Sequence, residues 1–183
     1  MTSENVKLQI TLEPVAVIHS PFCKLVNMPV QPKGARECYA TIEFDKKYEE
    51  GLKDLDGFSH VYLIYYFHKV KEPKLRVVPF NDKTHTPRGV FATRTPMHPN
   101  SIGLSVVELV SVEGNVVTIK GVDVLDGTPL LDIKPYIENF DKVEGEVRSG
   151  WMKADPDEVR RKRSDDRFVH YEKEDIQNDA VSP

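Results

Sequence analysis

The sequence predicts a mainly β protein, a β-barrel or sandwich, with one short internal helix and a polar, partly helical C-terminal tail. Three observations carry this reading. Apolar residues alternate with polar ones, or run in short β-branched and aromatic blocks, over most of the chain. Glycine and proline, 10 and 13 of the 183 residues, separate those blocks into many short segments. Helical spacing of apolar residues occurs in one internal stretch only.

The elements follow in order. Residues 6–12 alternate and predict a strand, and residues 15–19 form a short β-branched run. In residues 39–44, Tyr39, Thr41 and Glu43 share one face and Ala40, Ile42 and Phe44 the other. Residues 46–55 predict the internal helix, with Tyr48, Leu52 and Leu55 on one side and Gly57 just past the end. Residues 61–67 (VYLIYYF) are continuously apolar or aromatic, as expected of a strand buried on both faces. Residues 89–93, 103–112 and 116–124 predict further strands, and Glu113-Gly114-Asn115 between the last two is a hairpin turn. Pro73, Pro79, Pro87, Pro96 and Pro99 break the middle of the chain into loops. After Trp151 the composition changes. Residues 153–183 hold seven basic and nine acidic side chains and few core-formers, so one β domain is assigned to 1–152 and a charged tail to 153–183. Residues 157–167 fit a polar helix capped by Asp155 or Asp157.

Composition excludes several classes. The formal net charge is -4, which argues against a wholly basic nucleic-acid binder. No apolar run approaches the roughly 20 residues of a membrane span, and the N-terminus lacks a basic region followed by an apolar core. Neither membrane association nor secretion is expected. Cys23 and Cys38 are too few for a disulfide framework, which suits a cytoplasmic protein with reduced thiols. The six histidines form no metal-ligand spacing, and no metal is expected. The glycine fingerprints of dinucleotide and P-loop sites and the GxSxG elbow are missing.

Charge is nevertheless uneven. Residues 83–107 contain no Asp or Glu, but hold Lys83, His85, Arg88, Arg94 and His98. This window suits a phosphate or carboxylate partner, with Lys69, Lys71, Lys74 and Arg76 nearby in sequence. It overlaps residues 89–105 (GVFATRTPMHPNSIGLS), where two prolines fix a loop carrying a guanidinium, hydroxyls, an imidazole and an amide. A second segment, residues 121–136 (GVDVLDGTPLLDIKPY), runs through an Asp126-Gly127 turn to a polar group of Asp132, Lys134 and Tyr136. A carboxylate beside such a turn can accept ribose hydroxyls or face a cation. From the residues alone, Arg88, His98, Asn100 and Asp126 are the candidate substrate contacts.

Together with VIHSP at 17–21, PVQP at 29–32, LDGFSH at 55–60 and YFH at 66–68, these two segments resemble the TrmO family, also called TsaA-like, over roughly residues 14–137. The resemblance implies a single-sheet β-barrel and a tRNA methyltransferase that uses S-adenosylmethionine to methylate N6 of threonylcarbamoyladenosine next to the anticodon. It also implies a homodimer with the cofactor near the subunit interface. Matched motif by motif, the implied cofactor contacts are Pro32, Lys33 and Gly34; His68 and Lys69; Arg94; Leu104; and Gly121, Val122, Asp123, Val124 and Leu125. In one place the chain departs from the family pattern. Where the family usually reads RPNPIG, this chain has His98-Pro99-Asn100-Ser101-Ile102-Gly103, exchanging a permanent cation for an imidazole.

The N6 nitrogen of a ureido-substituted adenosine is a weak nucleophile, so a group that accepts its proton is expected. Asp126, Asp132, His68 and Tyr136 all qualify. Asp132, Lys134 and Tyr136 are expected to orient the base, with Arg94 near the cofactor. Two other readings fit the same residues: a non-catalytic RNA-binding barrel, and a methyltransferase acting on a small molecule or a different nucleoside.

Overall fold

The computed structural model describes residues 9–80, 82, 84–153 and 155–165. Eight strands form: β1 (Ala16–His19), β2 (Tyr39–Phe44), β3 (His60–Tyr66), β4 (Arg76–Val77), β5 (Arg88–Gly89), β6 (Ile102–Glu113), β7 (Val116–Lys120) and β8 (Thr128–Pro135). Six of them close a barrel in the order β1-β2-β7-β6-β3-β8, with β4 and β5 as a separate two-stranded ribbon. Every barrel neighbour is antiparallel, and β8 returns to β1 with Ala16 opposite Leu130. The expected single-sheet barrel is therefore the observed architecture.

Alternation drives the packing. In β2, Ala40, Ile42 and Phe44 point inward and Tyr39, Thr41 and Glu43 outward, as the sequence predicts. Ile18, Ile42, Leu63, Ile119 and Leu130 are fully buried in the interior. Burying such a side chain contributes about 1.5–3 kcal/mol, so these inward rows form the main stabilising layer. The β6–β7 hairpin turns at Glu113-Gly114-Asn115, and the Asn115 amide donates to the Phe44 carbonyl at 2.6 Å.

Several expectations are corrected. Residues 46–55 do not form an α-helix. A 3-10 helix spans Lys46–Leu52, a second spans Leu55–Gly57, and Asp54 between them is left-handed at φ 65°. Gly51 inside the first piece and the local cap of Asp45 on the Lys47 amide favour short turns over a continued helix. The intended face is nevertheless right: Leu52 and Leu55 are buried, and Tyr48 packs against the core. Residues 61–67 are not buried on both faces. Val61, Leu63 and Tyr65 point inward, whereas His60, Tyr62, Ile64 and Tyr66 line the outer wall. Residues 89–93 give only the end of a two-residue strand, followed by a 3-10 turn at Val90–Ala92. Strand β7 stops at Lys120, and residues 121–124 continue as a connection. Strand β8 goes unpredicted, because prolines at its second and last positions and a register shift opposite Ile64/Tyr65 hide its period. Residues 6–8 of the expected strand 6–12 lie outside the described residues, and residues 9–12 are not in a strand.

Beyond β8, α1 spans Glu138–Asp141 and α2 spans Pro156–Arg161. Asp155 caps α2 by accepting from the Asp157 amide at 2.7 Å, as expected, and the helix ends before Lys162. Residues 166 and 167 of the expected helix lie outside the described residues. No helix among the described residues is long and apolar enough to cross a membrane.

Candidate functional site

Closure of the barrel sorts the loops. The ends of β1, β3 and β7 and the starts of β2, β6 and β8 meet at one rim, because these ends pair with one another around the sheet. The connections 20–38, 67–101 and 121–127 all leave from this rim. The opposite rim carries residues 45–59 and the hairpin turn. Most of the sequence-expected site therefore gathers on one side: Pro32, Lys33 and Gly34, His68 and Lys69, Arg94, His98 and Asn100, and residues 121–126.

Hydrogen bonds tie these connections together. The Gly121 amide donates to the Cys38 carbonyl at 2.9 Å, and the Phe67 amide to the Ser101 carbonyl at 2.9 Å. The Ser20 hydroxyl donates to the Val124 carbonyl at 2.7 Å, and the Ser20 amide to Asp126 Oδ1 at 3.1 Å. The Asp126 amide donates to the Phe22 carbonyl, and Gly127, at φ 75°, closes the turn onto the Ile18 carbonyl. His19 approaches the same Asp126 oxygen at 3.5 Å.

A polar chain, buried at Tyr65 and Ser105 and partly buried at Asp123, lies beneath this rim. The Ser105 hydroxyl donates to Asp123 Oδ1 at 3.3 Å, so the Tyr65 hydroxyl, 3.1 Å from Ser105 Oγ, is left to donate to the serine. Burial pushes the Asp123 carboxyl up to about 7 and raises the Tyr65 hydroxyl as well. Sequence reasoning identified Asp123 but missed Ser105 and Tyr65, which lie 18 and 58 positions away from it in the chain. Burial, helped by the neighbouring Lys69 charge, pushes the His68 imidazole down and leaves it neutral at pH 7.

Asp123 supplies a test by pH. A carboxyl that holds its proton more tightly in the folded than in the unfolded chain gives stability that is complete below about pH 4 and is lost as pH rises toward 7. Asp123→Asn removes that loss. It is expected to raise the thermal midpoint at pH 8, by an amount equivalent to about 1–3 kcal/mol, with a smaller gain at pH 5. Melting curves at the two pH values check this, and equal gains at both would contradict it.

Other expected residues are engaged differently. Arg88 donates from Nε to Asp82 Oδ2 at 2.7 Å and from Nη2 to Thr84 Oγ1 at 3.2 Å, and stacks over Trp151 at 5.6 Å. Its charge serves a local network with a buried Asp82, whose carboxyl it holds well below the usual range. Val122 and Val124 are core residues, so they offer a ligand main-chain groups rather than side chains. Arg94 is exposed on the rim loop. His98 Nε2 lies 3.1 Å from the Thr93 carbonyl and must carry the proton it donates there. Phe91, His98, Pro99, Asn100 and Ile102 line a shallow cavity of about 210 Å³. Among the described residues, no group of three or more His, Cys, Asp or Glu side chains is arranged to hold a metal ion.

The remaining expected residues, Asp132, Lys134, Tyr136 and Leu104, stand on the outer wall of the barrel rather than in the rim loops. Asp132 lies opposite Ile64, and Lys134 opposite Tyr62, on the outward face. Their side chains pair at 2.8 Å, about half exposed, and the Tyr136 ring sits 5.8 Å from that of Tyr62. The rows continue across β3 to Leu104 and Val106. Leu104 is 55% exposed, and Tyr66, Ile102, Val106 and Val110 are exposed beside it. This apolar wall next to a charged pair is larger than scattered surface residues would give.

Residues 17–142 match the profile of the tRNA-methyltransferase O N-terminal domain. The chain belongs to the TrmO family. A probable S-adenosyl-L-methionine-binding protein of Pyrococcus abyssi is 46% identical over 162 residues, covering 88% of this chain and 86% of that protein. The human tRNA (adenine(37)-N6)-methyltransferase is 37% identical over 142 residues, 70% of this chain but only 30% of that enzyme. The crystal structure of TrmO from Pseudomonas aeruginosa superposes with a TM-score of 0.65 at 35% identity, over 81% of this chain and 64% of that one.

Against the TrmO signature, the structure gives the departure at residues 98–103 a physical form. Ser101 has φ 48°, and its amide donates to the His98 carbonyl at 2.9 Å. Proline, fixed near φ −65° and lacking an N–H, fits neither feature. The loop of this chain is therefore built around a serine in the left-handed region, and its conformation is one that the family's RPNPIG sequence cannot adopt at that position.

Proposed function

We propose that this protein is an S-adenosylmethionine-dependent methyltransferase acting on N6 of threonylcarbamoyladenosine beside the anticodon of tRNA. The observation that carries the reading is the single rim that gathers Arg94, Asp123, the 32–34 turn and the 121–125 connection in a chain of the TrmO family. The mouse and human relatives are tRNA (adenine(37)-N6)-methyltransferases, which points the same way, although the chain spans about a third of their length.

The residues at the rim fit the cofactor's chemistry. Arg94 suits its carboxylate through charge-assisted hydrogen bonds. Asp123 suits a cation, since a positive charge nearby favours the ionised form of a carboxyl poised near pH 7. Main-chain groups at 32–34 and 121–125 suit the adenosine. When bound, S-adenosylmethionine supplies an electrophilic methyl group on a sulfonium. The chain's own task is alignment and removal of the N6 proton. His68, neutral at pH 7, and the carboxylates of Asp126 and Asp132 are the acceptors at hand, while Lys134 and Tyr136 orient the base.

The apolar wall supports a homodimer, because two copies joined there bury a surface that one copy exposes. In this reading the Asp132, Lys134 and Tyr136 row of one copy completes the site at the rim of the other. A tRNA substrate implies a cytoplasmic protein. Methyl transfer to tRNA purified from cells lacking this modification tests the proposal. Incorporation into tRNA is expected, with tRNA affinity falling steeply with salt. Binding of S-adenosylhomocysteine without transfer to tRNA, or a flat salt response, overturns it.

A further inference from the structure

The charged tail does not simply leave the barrel. After α2 the chain runs antiparallel to the 20–38 connection, with Arg163 bridged to Pro29. Ser164 then uses all of its polar groups on residues 25–28. Its amide donates to the Met28 carbonyl at 2.8 Å, and its carbonyl accepts from the Asn27 amide at 3.1 Å. Its hydroxyl donates to the Leu25 carbonyl at 2.6 Å and accepts from the Met28 amide at 2.9 Å. These bonds join segments 136–139 positions apart.

The end of α2 also sits against the 32–34 turn. A Cβ at Gly34 would come 3.0 Å from the Arg160 carbonyl oxygen, so glycine is what lets helix and turn approach. The Arg163 guanidinium donates back to the Arg160 and Lys162 carbonyls at 2.9 and 3.1 Å, closing the helix end. Within the connection from β1 to β2, the three-residue turn at Pro32–Gly34 is the only helical or strand element. Such a loop has few bonds of its own to fix it and opens at low cost unless something outside holds it.

We propose that Ser164 is a positioning residue for the cofactor, and that residues 155–164 brace the 32–34 turn in its binding shape. The proposal rests on the reading that this turn contacts S-adenosylmethionine. If the brace and the cofactor favour the same turn conformation, each must strengthen the other by the same factor.

Variants of the full chain test this. Ser164→Ala deletes both hydroxyl bonds and keeps the main-chain pair, whereas Ser164→Thr keeps a hydroxyl. The expected result is a KM for S-adenosylmethionine raised about five- to tenfold in Ser164→Ala, with kcat at saturation within about twofold and recovery in Ser164→Thr. By hydrogen exchange, the Asn27 and Met28 amides should lose protection in Ser164→Ala, and S-adenosylhomocysteine should add protection at the wild-type Ser164 amide. An unchanged KM alongside faster exchange at Asn27 and Met28 overturns the brace and leaves the cofactor reading standing. A joint fall of kcat, affinity and thermal midpoint makes Ser164 merely structural and also overturns it. A wild-type protein that binds no S-adenosylhomocysteine in calorimetry overturns both readings.

Discussion

Gly103→Ala is expected to lower the thermal midpoint by about 5–10 °C, the consequence of about 2–3 kcal/mol of overpacking. Gly103 lies opposite Tyr65 in the β3–β6 ladder, and a Cβ there would overlap the Tyr65 ring. The ring cannot step aside cheaply. Tyr65 is 4% exposed, its hydroxyl is bonded to Ser105, and its ring makes a T-shaped contact with that of Phe67 at 5.2 Å. A double-mutant cycle checks the cause. In a Tyr65→Leu background the added methyl should cost much less, because the ring it strikes is gone. An equal cost in both backgrounds would mean that the penalty comes from the backbone. The same substitution should disturb Asp123 through Ser105, so activity should fall along with stability.

The second large effect concerns the wall. Lys134→Ala and Tyr136→Phe are each expected to slow single-turnover methyl transfer by about 10²-fold, with tRNA and cofactor saturating. Wild-type rates in both variants would remove these residues from the reaction. Arg94→Ala should also be weak, through cofactor binding. The informative experiment mixes the two defects. In one chain Arg94 is on a rim loop while Lys134 is on the outer wall, opposite Tyr62. If each active centre draws on two copies, co-refolded Arg94→Ala and Lys134→Ala proteins should recover about a quarter of wild-type activity. Half of the dimers are then mixed, and each of those has one intact centre. No recovery would mean that each chain uses its own residues.

The elements that could be read from the sequence are those in which one physical signal dominates. Strand β2 is legible because its inner and outer faces differ cleanly, and the β6–β7 hairpin because its turn residues demand the turn. Strand β3 is legible as a strand, but its surroundings are not. A run apolar on both faces is compatible with two buried faces, and equally with one buried face and an apolar outer wall. The prolines of strand β8 hide it, and residues 46–55 read as α-helical because spacing reports a buried face without reporting whether the turns close at three residues or four. In the candidate site, the family motifs single out segments that the fold brings to one rim. The engagement of Arg88 by Asp82 was not, since a basic residue in an acid-free window looks available until its partner just outside that window is seen. The Tyr65–Ser105–Asp123 chain was invisible because it joins two strands and a connection that only barrel closure brings together.

Closure of the barrel has one more consequence. A sheet with open borders can grow by adding a neighbour's strand, and main-chain bonds would then dictate how copies assemble. Here every barrel strand already has two partners, so the barrel itself has no border to offer. Assembly through it must be written entirely in side chains, and evolution can retune or abolish it one residue at a time, without touching the ladder that keeps the molecule folded.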